Sequence, residues 1–344
     1  MSVDALEQIC TDILVAVHVP KHEAATVATS LVRAEARGQA SHGVMRLETY
    51  VKRVKRGLIR PGVAPEIVTE TPTTVVIDAH DGFGHVVGLH AMDVCIERAQ
   101  RLGLGAAAVR NSTHFGIACI FAERAMSAGC VGIATSNAAA RMPPVGTKTA
   151  VLGTNPLAIA VPSGVRTTAF VLDMSTSVAA LGKILAARDQ GRSIPEGWAL
   201  DAEGMPTTDS ARAADGLMLP MSGAKGFGLA LVLEVLSAVL SGAPAGQGAG
   251  SMYRTWDRPE RLGHFFMALS VSAFQPLNDF DKGITNLTSQ IRHAQRIDSA
   301  QVWLPGEIEA DQERVARQQG ITVTPQLSGA LTAAAKAAGT SPPL

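Results

Sequence analysis

Apolar residues near the N-terminus recur three and four positions apart, the spacing that places side chains on one face of a helix. The pattern is clearest over residues 42–57, which we predict to be an amphipathic helix. Its apolar stripe comprises Val44, Leu47, Val51, Val54 and Leu58. Its polar face comprises His42, Arg46, Thr49 and Arg53. Similar spacing predicts helices over residues 4–17 and 21–37.

The pattern changes after residue 72, where short β-branched or apolar runs alternate with helical segments and Gly/Pro turns. Strands are predicted over residues 73–78, 106–110, 152–162 and 168–173. Helices are predicted over residues 89–102, 177–187, 227–240, 287–318 and 326–338. The nearly all-apolar helix 227–240 is expected to be buried. We therefore predict a helical domain built from both chain ends, residues 1–72 with 291–344, and an α/β domain over residues 73–290.

Composition narrows the class of protein. The chain has 344 residues, 47% hydrophobic and 17% charged, which is enough for a large core. Its 30 basic side chains equal its 30 acidic ones, which argues against a nucleic-acid partner and against binding to an anionic membrane surface. The sequence shows no membrane-span pattern and no secretory signal pattern. With four scattered cysteines, these features predict a cytoplasmic protein with reduced thiols.

The run Ser41-His42-Gly43, followed by Arg46, holds the most informative candidate chemistry. His42 can exchange a proton near neutral pH, and Arg46 can hold a carboxylate through two parallel hydrogen bonds. Reduction of a 2-oxo acid requires such a pair, because a proton must reach the carbonyl oxygen as hydride reaches the carbon. A polar helix face is also commonly just solvated, and that interpretation stays open on these residues alone.

Two glycine-rich segments invite a dinucleotide-binding interpretation, and both fail it. Gly103-Leu104-Gly105 follows a helix and precedes a strand, the reverse of the Rossmann order. Residues 82–88 have the right order, but the next strand, 106–110, is followed by no acidic residue for a ribose hydroxyl. A metal site on His42 and His114 lacks any recognised ligand spacing, so no metal is predicted.

Three further segments lie at predicted strand ends or helix starts: His114-Phe115-Gly116, Asp173-Met174-Ser175 and Lys225-Gly226. A helix start offers free N–H groups to a phosphate or a carboxylate. Each segment also fits an ordinary capping or turn role. The run around Thr154 is likewise compatible with a plain turn.

Taken in chain order, the motifs resemble one family. They are SHGVMRLETY, HFG, LGTNP, DMSTS, GKI, IPEGWALDAEG, PTTD, GAKGFG and GHFF, and the likeness runs from about residue 5 to about residue 335. The set resembles the type-2 malate/L-lactate dehydrogenase family, which also includes ureidoglycolate, sulfolactate and diketogulonate dehydrogenases and cyclic-imine reductases. The resemblance implies a non-Rossmann α/β domain with a mixed sheet, beside a helical domain from both termini. It also implies a homodimer, and hydride transfer between NAD(P)H and a small carboxylate substrate, either a 2-oxo acid or a related imine.

The resemblance implies roles for individual residues as well. His42 looks like the catalytic acid/base, Ser41 like its hydrogen-bonding neighbour and Arg46 like the substrate clamp. His114 and Thr154 look like substrate contacts. The positions that match the family's cofactor contacts are His114, Phe115, Gly116, Asp173, Met174, Ser175, Lys225 and Gly226. These matches leave the choice between NAD and NADP undecided.

Two segments bear on the substrate. Where the family commonly reads APWGG or VPYGG, residues 143–147 read PPVGT, so an aromatic residue and a glycine are missing there. Gly182-Lys183 matches the GK of hydroxy-acid members, whereas some imine reductases carry an acid. The first departure leaves the identity of the substrate open, and the second favours a 2-hydroxyacid dehydrogenase. The alternatives are a cyclic-imine reductase, a catalytically silent binding protein and a metallohydrolase.

Overall fold

The structure, a computed structural model, describes residues 1–163, 170–298 and 301–342. Its helices are α1 (Val3–Val15), α2 (Lys21–Ala36), α3 (Leu47–Lys55), α4 (Gly84–Leu102), α5 (Cys119–Ser127), α6 (Leu181–Asp189), α7 (Ser210–Asp215), α8 (Ala224–Glu234), α9 (Leu277–His293), α10 (Glu307–Gln319) and α11 (Pro325–Ala338). Its strands are β1 (Glu66–Glu70), β2 (Thr74–Asp78), β3 (Leu104–Ser112), β4 (Cys130–Ser136), β5 (Leu157–Val161), β6 (Phe170–Met174), β7 (Ala199–Leu200), β8 (Pro206–Thr207), β9 (Leu217–Met218) and β10 (Leu262–Ser270). None of the helices in these ranges is long and apolar enough to cross a membrane.

A mixed sheet runs in the order β1-β2-β3-β10-β4-β5-β6. Its β2–β3 pair is parallel, and the other neighbouring pairs are antiparallel. The last strand in sequence, β10, is inserted centrally between β3 and β4, so distant parts of the chain meet there. Helices α4 and α5 pack on the sheet and bury its apolar side chains. The predicted non-Rossmann α/β fold with a mixed sheet is confirmed.

The two chain ends share a separate apolar core. Helices α1, α2, α3 and α11 contribute buried side chains to it, among them Leu6, Leu31, Leu47 and Leu331. The domain division predicted from the sequence stays a prediction. Its second boundary, at residues 290–291, falls inside α9, and residues 299–300 and 343–344 lie outside the described part of the chain.

A network of four charged side chains ties this helical core to the sheet. Arg33 on α2 and Arg37, which directly follows α2, each pair with both Glu123 on α5 and Glu313 on α10, at N–O distances of 2.6 to 3.2 Å. Both carboxylates are mostly buried, so each guanidinium is held by two desolvated partners. The network fixes the end of α2, which leads directly into residue 42.

The predicted helix over residues 42–57 is wrong in its first turn. Residues 40–42 and 44–46 form two short 3-10 turns, and α3 begins only at Leu47. Gly43 is extended between the turns, and the Glu35 carboxylate accepts the Val44 N–H at 3.2 Å. A side chain on Gly43 would collide with that carboxylate, so the break is built into the packing.

The expectation of a buried helix over residues 227–240 is also wrong. Helix α8 ends at Glu234 and continues as one π-turn over Val235–Val239. One side of it is packed, but the other exposes five large aliphatic side chains: Leu231, Val232, Val235, Val239 and Leu240. An apolar helix is buried on all sides only where neighbours cover all of it, and the described residues cover one side of α8.

Other boundaries shift by a few residues. The strand predicted over 152–162 shortens to β5, and Leu152 pairs instead with Met142 in an isolated bridge. The strand predicted over 168–173 is found as β6, although residues 168 and 169 lie outside the described residues. The helix predicted from 177 begins at Leu181, and the pattern over 287–318 divides into α9 and α10.

Candidate active site

Two histidines predicted from separate motifs lie face to face. His42 ends the turn that follows α2, and His114 follows β3. Their ring centroids are 5.7 Å apart, with an angle of 22° between the planes. The fold therefore brings together the two imidazoles that the sequence places 72 positions apart.

Ser41 orients the first of these rings. Its Oγ lies 3.0 Å from His42 Nδ1, which leaves Nε2 as the nitrogen able to exchange a proton with a ligand. Gly182 in the first turn of α6 packs directly against Ser41, because a Cβ there would lie 2.4 Å from the Ser41 Cβ. The glycine of the predicted GK pair thus allows α6 to approach this segment, whereas Lys183 is exposed.

The tautomer of His114 follows from its hydrogen bonds. The Gly116 N–H donates to His114 Nδ1 at 3.2 Å, and the Tyr50 hydroxyl lies 2.7 Å from the same nitrogen. A nitrogen that accepts the N–H carries no proton, so Tyr50 must also donate and the ring proton resides on Nε2. His114 therefore offers an N–H donor on the side opposite Tyr50.

Arg46 supplies the positive charge of this pocket. Its Nε is buried without a hydrogen-bond partner, and its guanidinium carbon lies 5.0 Å from the centre of the Tyr253 ring. Burial and the charge of Arg46 lower the pKa of His42 to about 4. Burial and the neighbouring positive charges also hold the pKa of His114 well below its usual value. Both rings are therefore neutral at pH 7 beside an unpaired guanidinium that stays protonated.

A buried ion pair between Arg53 and Glu260 lies behind this pocket and was not predicted from the sequence. Arg53, predicted on the polar face of the helix, is fully buried, and its Nε lies 3.3 Å from a carboxylate oxygen of the buried Glu260. Burial raises the pKa of Glu260 to about 7, while Arg53 and a hydrogen bond from the His114 backbone N–H act in the opposite sense. The seven-residue spacing of Arg46 and Arg53 indicates that they share one face of a helix. Nothing in the sequence indicates that either residue contacts residue 260.

Phe115 and Gly116 fix the turn after His114. Phe115 is buried, with its ring stacked between His264, at 4.7 Å between centroids, and Phe121, at 4.9 Å. Gly116 has a φ of +79°, and a Cβ there would lie 2.8 Å from both the Ser30 Oγ and the His85 Nε2. The Phe115 side chain therefore has a packing role, and the backbone of this turn is the part that can face a ligand.

The remaining predicted segments lie side by side. The Thr154 carbonyl accepts the backbone N–H and the side-chain hydroxyl of Thr176, each at 2.9 Å, and the Thr176 carbonyl accepts the Met221 N–H at 2.9 Å. Strand β6 ends at Met174, and Ser175 lies between it and Thr176. Lys225 lies exposed in the first turn of α8, shortly after Met221. Three segments predicted separately therefore form one continuous surface.

Individual side chains of this surface have other partners. The Asp173 carboxylate accepts the Cys119 N–H at 2.9 Å and so caps α5, and burial raises its pKa. The Ser175 Oγ lies 3.1 Å from the Ser177 Oγ. Gly226 is buried where a side chain would collide with the Met221 carbonyl. No hydrogen bond links a Met174 side chain to the rest of the described chain.

A cavity of about 580 Å³ adjoins the start of α8. Residues 143–147, the segment that departs from the family pattern, form one wall, and Val178, Pro220, Ser222 and Gly223 form another. The departure therefore changes a cavity wall beside the surface just described rather than the surroundings of His42. Among the residues that the structure describes, no three His, Cys, Asp or Glu side chains group as metal ligands would.

Comparison with known proteins gives a consistent result. The family model described as malate/L-lactate dehydrogenase matches residues 1–332. The chain is 38% identical over 274 residues to a (2R)-3-sulfolactate dehydrogenase (NADP(+)) of Chromohalobacter salexigens, covering 80% of this chain and 82% of the relative. It is 33% identical over 327 residues to a ureidoglycolate dehydrogenase (NAD(+)) of Escherichia coli, covering 94% and 92%. The solved sulfolactate dehydrogenase from Methanocaldococcus jannaschii superposes with a TM-score of 0.91 at 35% identity, covering 99% of this chain and 98% of the other.

Buried neutral histidines should make the fold sensitive to acid. Burial lowers the pKa of His264 to about 3, so the unfolded chain takes up this proton below pH 6.5 while the folded chain does not. Its contribution to the free energy of unfolding should fall by about 1.4 kcal/mol per pH unit between about pH 6.5 and 3. Urea unfolding at several pH values should show a shallower acid-side slope for His264→Gln than for the original chain.

Glu260 has a raised pKa and therefore acts on the same slope in the opposite sense. The effect of His264 is read from the difference in slope between the His264→Gln variant and the original chain, in which Glu260 is unchanged. The matched control is His22→Gln, which changes an exposed histidine on α2 and should leave the slope unaltered. Equal slopes for His264→Gln and the original chain would contradict the assignment.

Proposed function

This chain belongs to the malate/L-lactate dehydrogenase family, and we propose that it transfers hydride between NAD(P)H and a small 2-oxo acid, with His42 as general acid/base. One observation carries the proposal. His42 and His114 lie face to face in one buried pocket, 5.7 Å between ring centroids, and the unpaired Arg46 lowers the pKa of both. A proton-exchanging group and a free guanidinium are what a 2-oxo acid needs at its carbonyl and its carboxylate.

His42 handles the proton. In reduction its protonated ring donates to the substrate's carbonyl oxygen, and in oxidation its neutral ring accepts the hydroxyl proton. The bound nicotinamide supplies or accepts the hydride. Because Arg46 lowers the pKa of His42, an anionic substrate that offsets this charge raises the pKa and favours proton uptake at the same moment.

Arg46 and His114 position the substrate. Arg46 would hold the carboxylate through two parallel hydrogen bonds, with the Tyr253 ring covering its guanidinium. The proton fixed on His114 Nε2 by Tyr50 and Gly116 would serve as a second donor to the substrate oxygen. Together they hold the carbonyl in one orientation for attack, which is how positioning lowers a barrier. Thr154 remains our proposed further substrate contact.

The cofactor would lie along the surface formed by residues 173–175, the 115–116 turn and the start of α8. Helix α8 has no side-chain cap, so its first N–H groups are available to phosphate oxygens, and Lys225 and Gly226 lie in that turn. These features fit a nicotinamide dinucleotide. Relatives are named for NAD(+) and for NADP(+), so we propose NAD or NADP.

The assembly we propose is a cytoplasmic homodimer. The exposed apolar face of α8 supports it, since Val235 and Val239 are 46% and 59% exposed amid aliphatic neighbours, and such contiguous faces mark interaction sites. The buried cysteines are all free, which fits a reducing compartment. We also propose that the two apolar cores correspond to the two domains predicted from the sequence.

A substrate panel tests the function. Purified protein is mixed with 2-oxo acids or cyclic imines and with NADH or NADPH, and nicotinamide absorbance is followed. We expect 2-oxo acids to be reduced, and His42→Ala to lower kcat by about 10²- to 10⁴-fold because proton transfer is lost.

The control for this variant is His22→Ala, in which an exposed histidine outside the pocket is removed. An unchanged kcat in His42→Ala would remove the acid/base role. If only cyclic imines were reduced, the proposed substrate would be a cyclic imine instead of a 2-oxo acid. If neither NADH nor NADPH were oxidised with any acceptor, the proposed function would be refuted.

Removal of the Arg46 guanidinium should weaken substrate binding. Arg46→Gln should raise KM for the 2-oxo acid by about 10- to 100-fold, the equivalent of a lost charge-assisted hydrogen bond, with a smaller effect on kcat. Arg56→Gln is the matched control, because Arg56 also lies over an aromatic ring, 4.7 Å from Trp256, but is exposed. If KM were the same in Arg46→Gln, the carboxylate would be bound elsewhere.

A charge on the α8 face should separate the subunits. Val235→Glu would bury a carboxylate in an apolar interface, so light scattering after gel filtration should give the mass of one chain instead of two. Leu102→Glu, at an exposed position on α4, should remain a dimer. A dimer in both variants would exclude the α8 face as the interface.

A further inference from the structure

Arg46 lacks the kind of partner that a buried arginine usually has. The neighbouring Arg53, which is fully buried, pairs with Glu260 at 3.3 Å. In the part of the chain that the structure describes, the Arg46 guanidinium forms no ion pair and no hydrogen bond, and its Nε is buried without an acceptor. Glu260 offsets the charge of Arg46 without forming an ion pair with it. Another group must therefore fix the direction of the Arg46 side chain.

The ring of Tyr253 lies against this guanidinium. The guanidinium carbon of Arg46 lies over the ring, 5.0 Å from its centre, which is within the range of a cation–π contact. A ring occupies none of the five N–H donors of a guanidinium, whereas a carboxylate accepts hydrogen bonds from two of them. Tyr253 can therefore stabilise the charge and the orientation of Arg46 and leave its donors free.

The loop that carries Tyr253 is closed by its own hydrogen bonds. The Gly250 N–H donates to the Glu260 carbonyl at 2.9 Å and joins the two ends of the loop. The Ser251 Oγ accepts the Tyr253 N–H at 3.3 Å, and the Trp256 Nε1 donates to the Tyr253 carbonyl at 2.8 Å. Both backbone polar groups of Tyr253 are thus bonded within the loop, so its ring is placed before any ligand binds.

Helix α3 anchors the same loop through Arg53. The Nη1 of Arg53 donates to the carbonyls of Met252, at 3.4 Å, and Thr255, at 2.8 Å. The Met252 side chain is buried in the core of the helical region, and the Trp256 ring centre lies 5.4 Å from the Arg53 guanidinium carbon. Arg46 precedes Arg53 by seven positions, a spacing that places both on one side of a helix. The clamp and the anchor of the loop that covers it therefore share one segment.

We propose that Tyr253 is a positioning residue for the carboxylate clamp. Its ring holds the Arg46 guanidinium in the place of an acidic partner, so the clamp is oriented in advance and its N–H donors stay free for the substrate's carboxylate. The proposal rests on the proposed function, because it takes Arg46 as the group that binds this carboxylate. An ion-paired arginine would have to lose its partner before it bound an anion, and its affinity for the substrate would fall accordingly.

Two other roles would use the same side chain and give different results. The Tyr253 hydroxyl would matter if it donated a hydrogen bond to the substrate, and replacement by Phe would then be as harmful as replacement by Leu. The ring would matter to the cofactor if it stacked on the nicotinamide nucleotide, and its loss would then raise the KM for NADH or NADPH. The observed contact of the ring with Arg46 favours the positioning role.

The first test separates the ring from the hydroxyl. It measures kcat and KM with whichever of pyruvate, 2-oxobutanoate and oxaloacetate is reduced fastest. Tyr253→Phe keeps the ring and should leave KM within about twofold of the original value. Tyr253→Leu removes the cation–π contact and should raise KM by about 2- to 30-fold, with a smaller effect on kcat. The Tyr253 side chain is 42% exposed, so neither variant should alter the fold, and an unchanged Tm checks this.

The second test asks whether the partner of Arg46 must be neutral. Tyr253→Glu puts a carboxylate beside the guanidinium, where it should pair with Arg46 and compete with the substrate. Its KM should be about 10- to 100-fold higher than that of the matched neutral variant Tyr253→Gln, the equivalent of one charge-assisted hydrogen bond. The control is Phe274→Leu, which removes an exposed ring elsewhere on the surface and should leave KM unchanged.

Three outcomes would overturn the proposal: an original KM in Tyr253→Leu, equal KM values in the Glu and Gln variants, or a rise confined to the KM of the nicotinamide cofactor. If a variant loses turnover, the affinity of the enzyme–NADH or enzyme–NADPH complex for oxamate, followed by nicotinamide fluorescence, supplies the same comparison. Failure of the proposed function would abolish turnover with every acceptor. Failure of the positioning role alone would leave turnover and the effect of Arg46→Gln intact and remove only the dependence on the Tyr253 ring.

Discussion

The buried ion pair between Arg53 and Glu260 holds the pocket together. Arg53 joins α3 to the 251–256 loop through two carbonyls, and Glu260 reaches the backbone N–H of His114. Three segments far apart in sequence are therefore fixed by two side chains. A buried pair of this kind contributes little net free energy when intact, but the loss of one partner leaves an uncompensated charge. Its role here is geometric: it determines where Tyr253 lies relative to Arg46.

The electrostatics of the pocket follow from the burial of its titratable side chains away from water. Removing water disfavours every charged imidazole, so His42 and His114 rest neutral, while the guanidinium of Arg46 keeps its proton. The pocket is thus positive, because Glu260, whose pKa burial raises to about 7, offsets the charge of Arg46 only in part. An anionic substrate both fills this deficit and restores the basicity of His42, so substrate binding and proton supply are one event. This coupling needs no conformational change, because it follows from the electrostatic interaction of Arg46 with His42.

Much of this arrangement was predictable from the sequence, and the rest was not for identifiable reasons. Hydrophobic periodicity predicted the helices and the α/β character, and the ordered motifs indicated the family. The burial of Arg53 was not predictable, because hydrophobic periodicity carries no information about a partner 207 positions away. The helix over residues 42–57 began late because Glu35 interrupts it at Gly43, a tertiary contact. The apolar composition of residues 227–240 predicts a buried helix, but composition alone does not indicate what covers each side of it.

The charge network at the end of α2 has a consequence for how the protein is made. Glu313 pairs with the two arginines that precede the His42 segment, yet it is translated 271 residues after His42. Until then Arg33 and Arg37 lack one of their two carboxylates, and α11 has not yet closed the core around α3. The segment that bears His42 therefore reaches its folded surroundings only after α10 and α11 have been made.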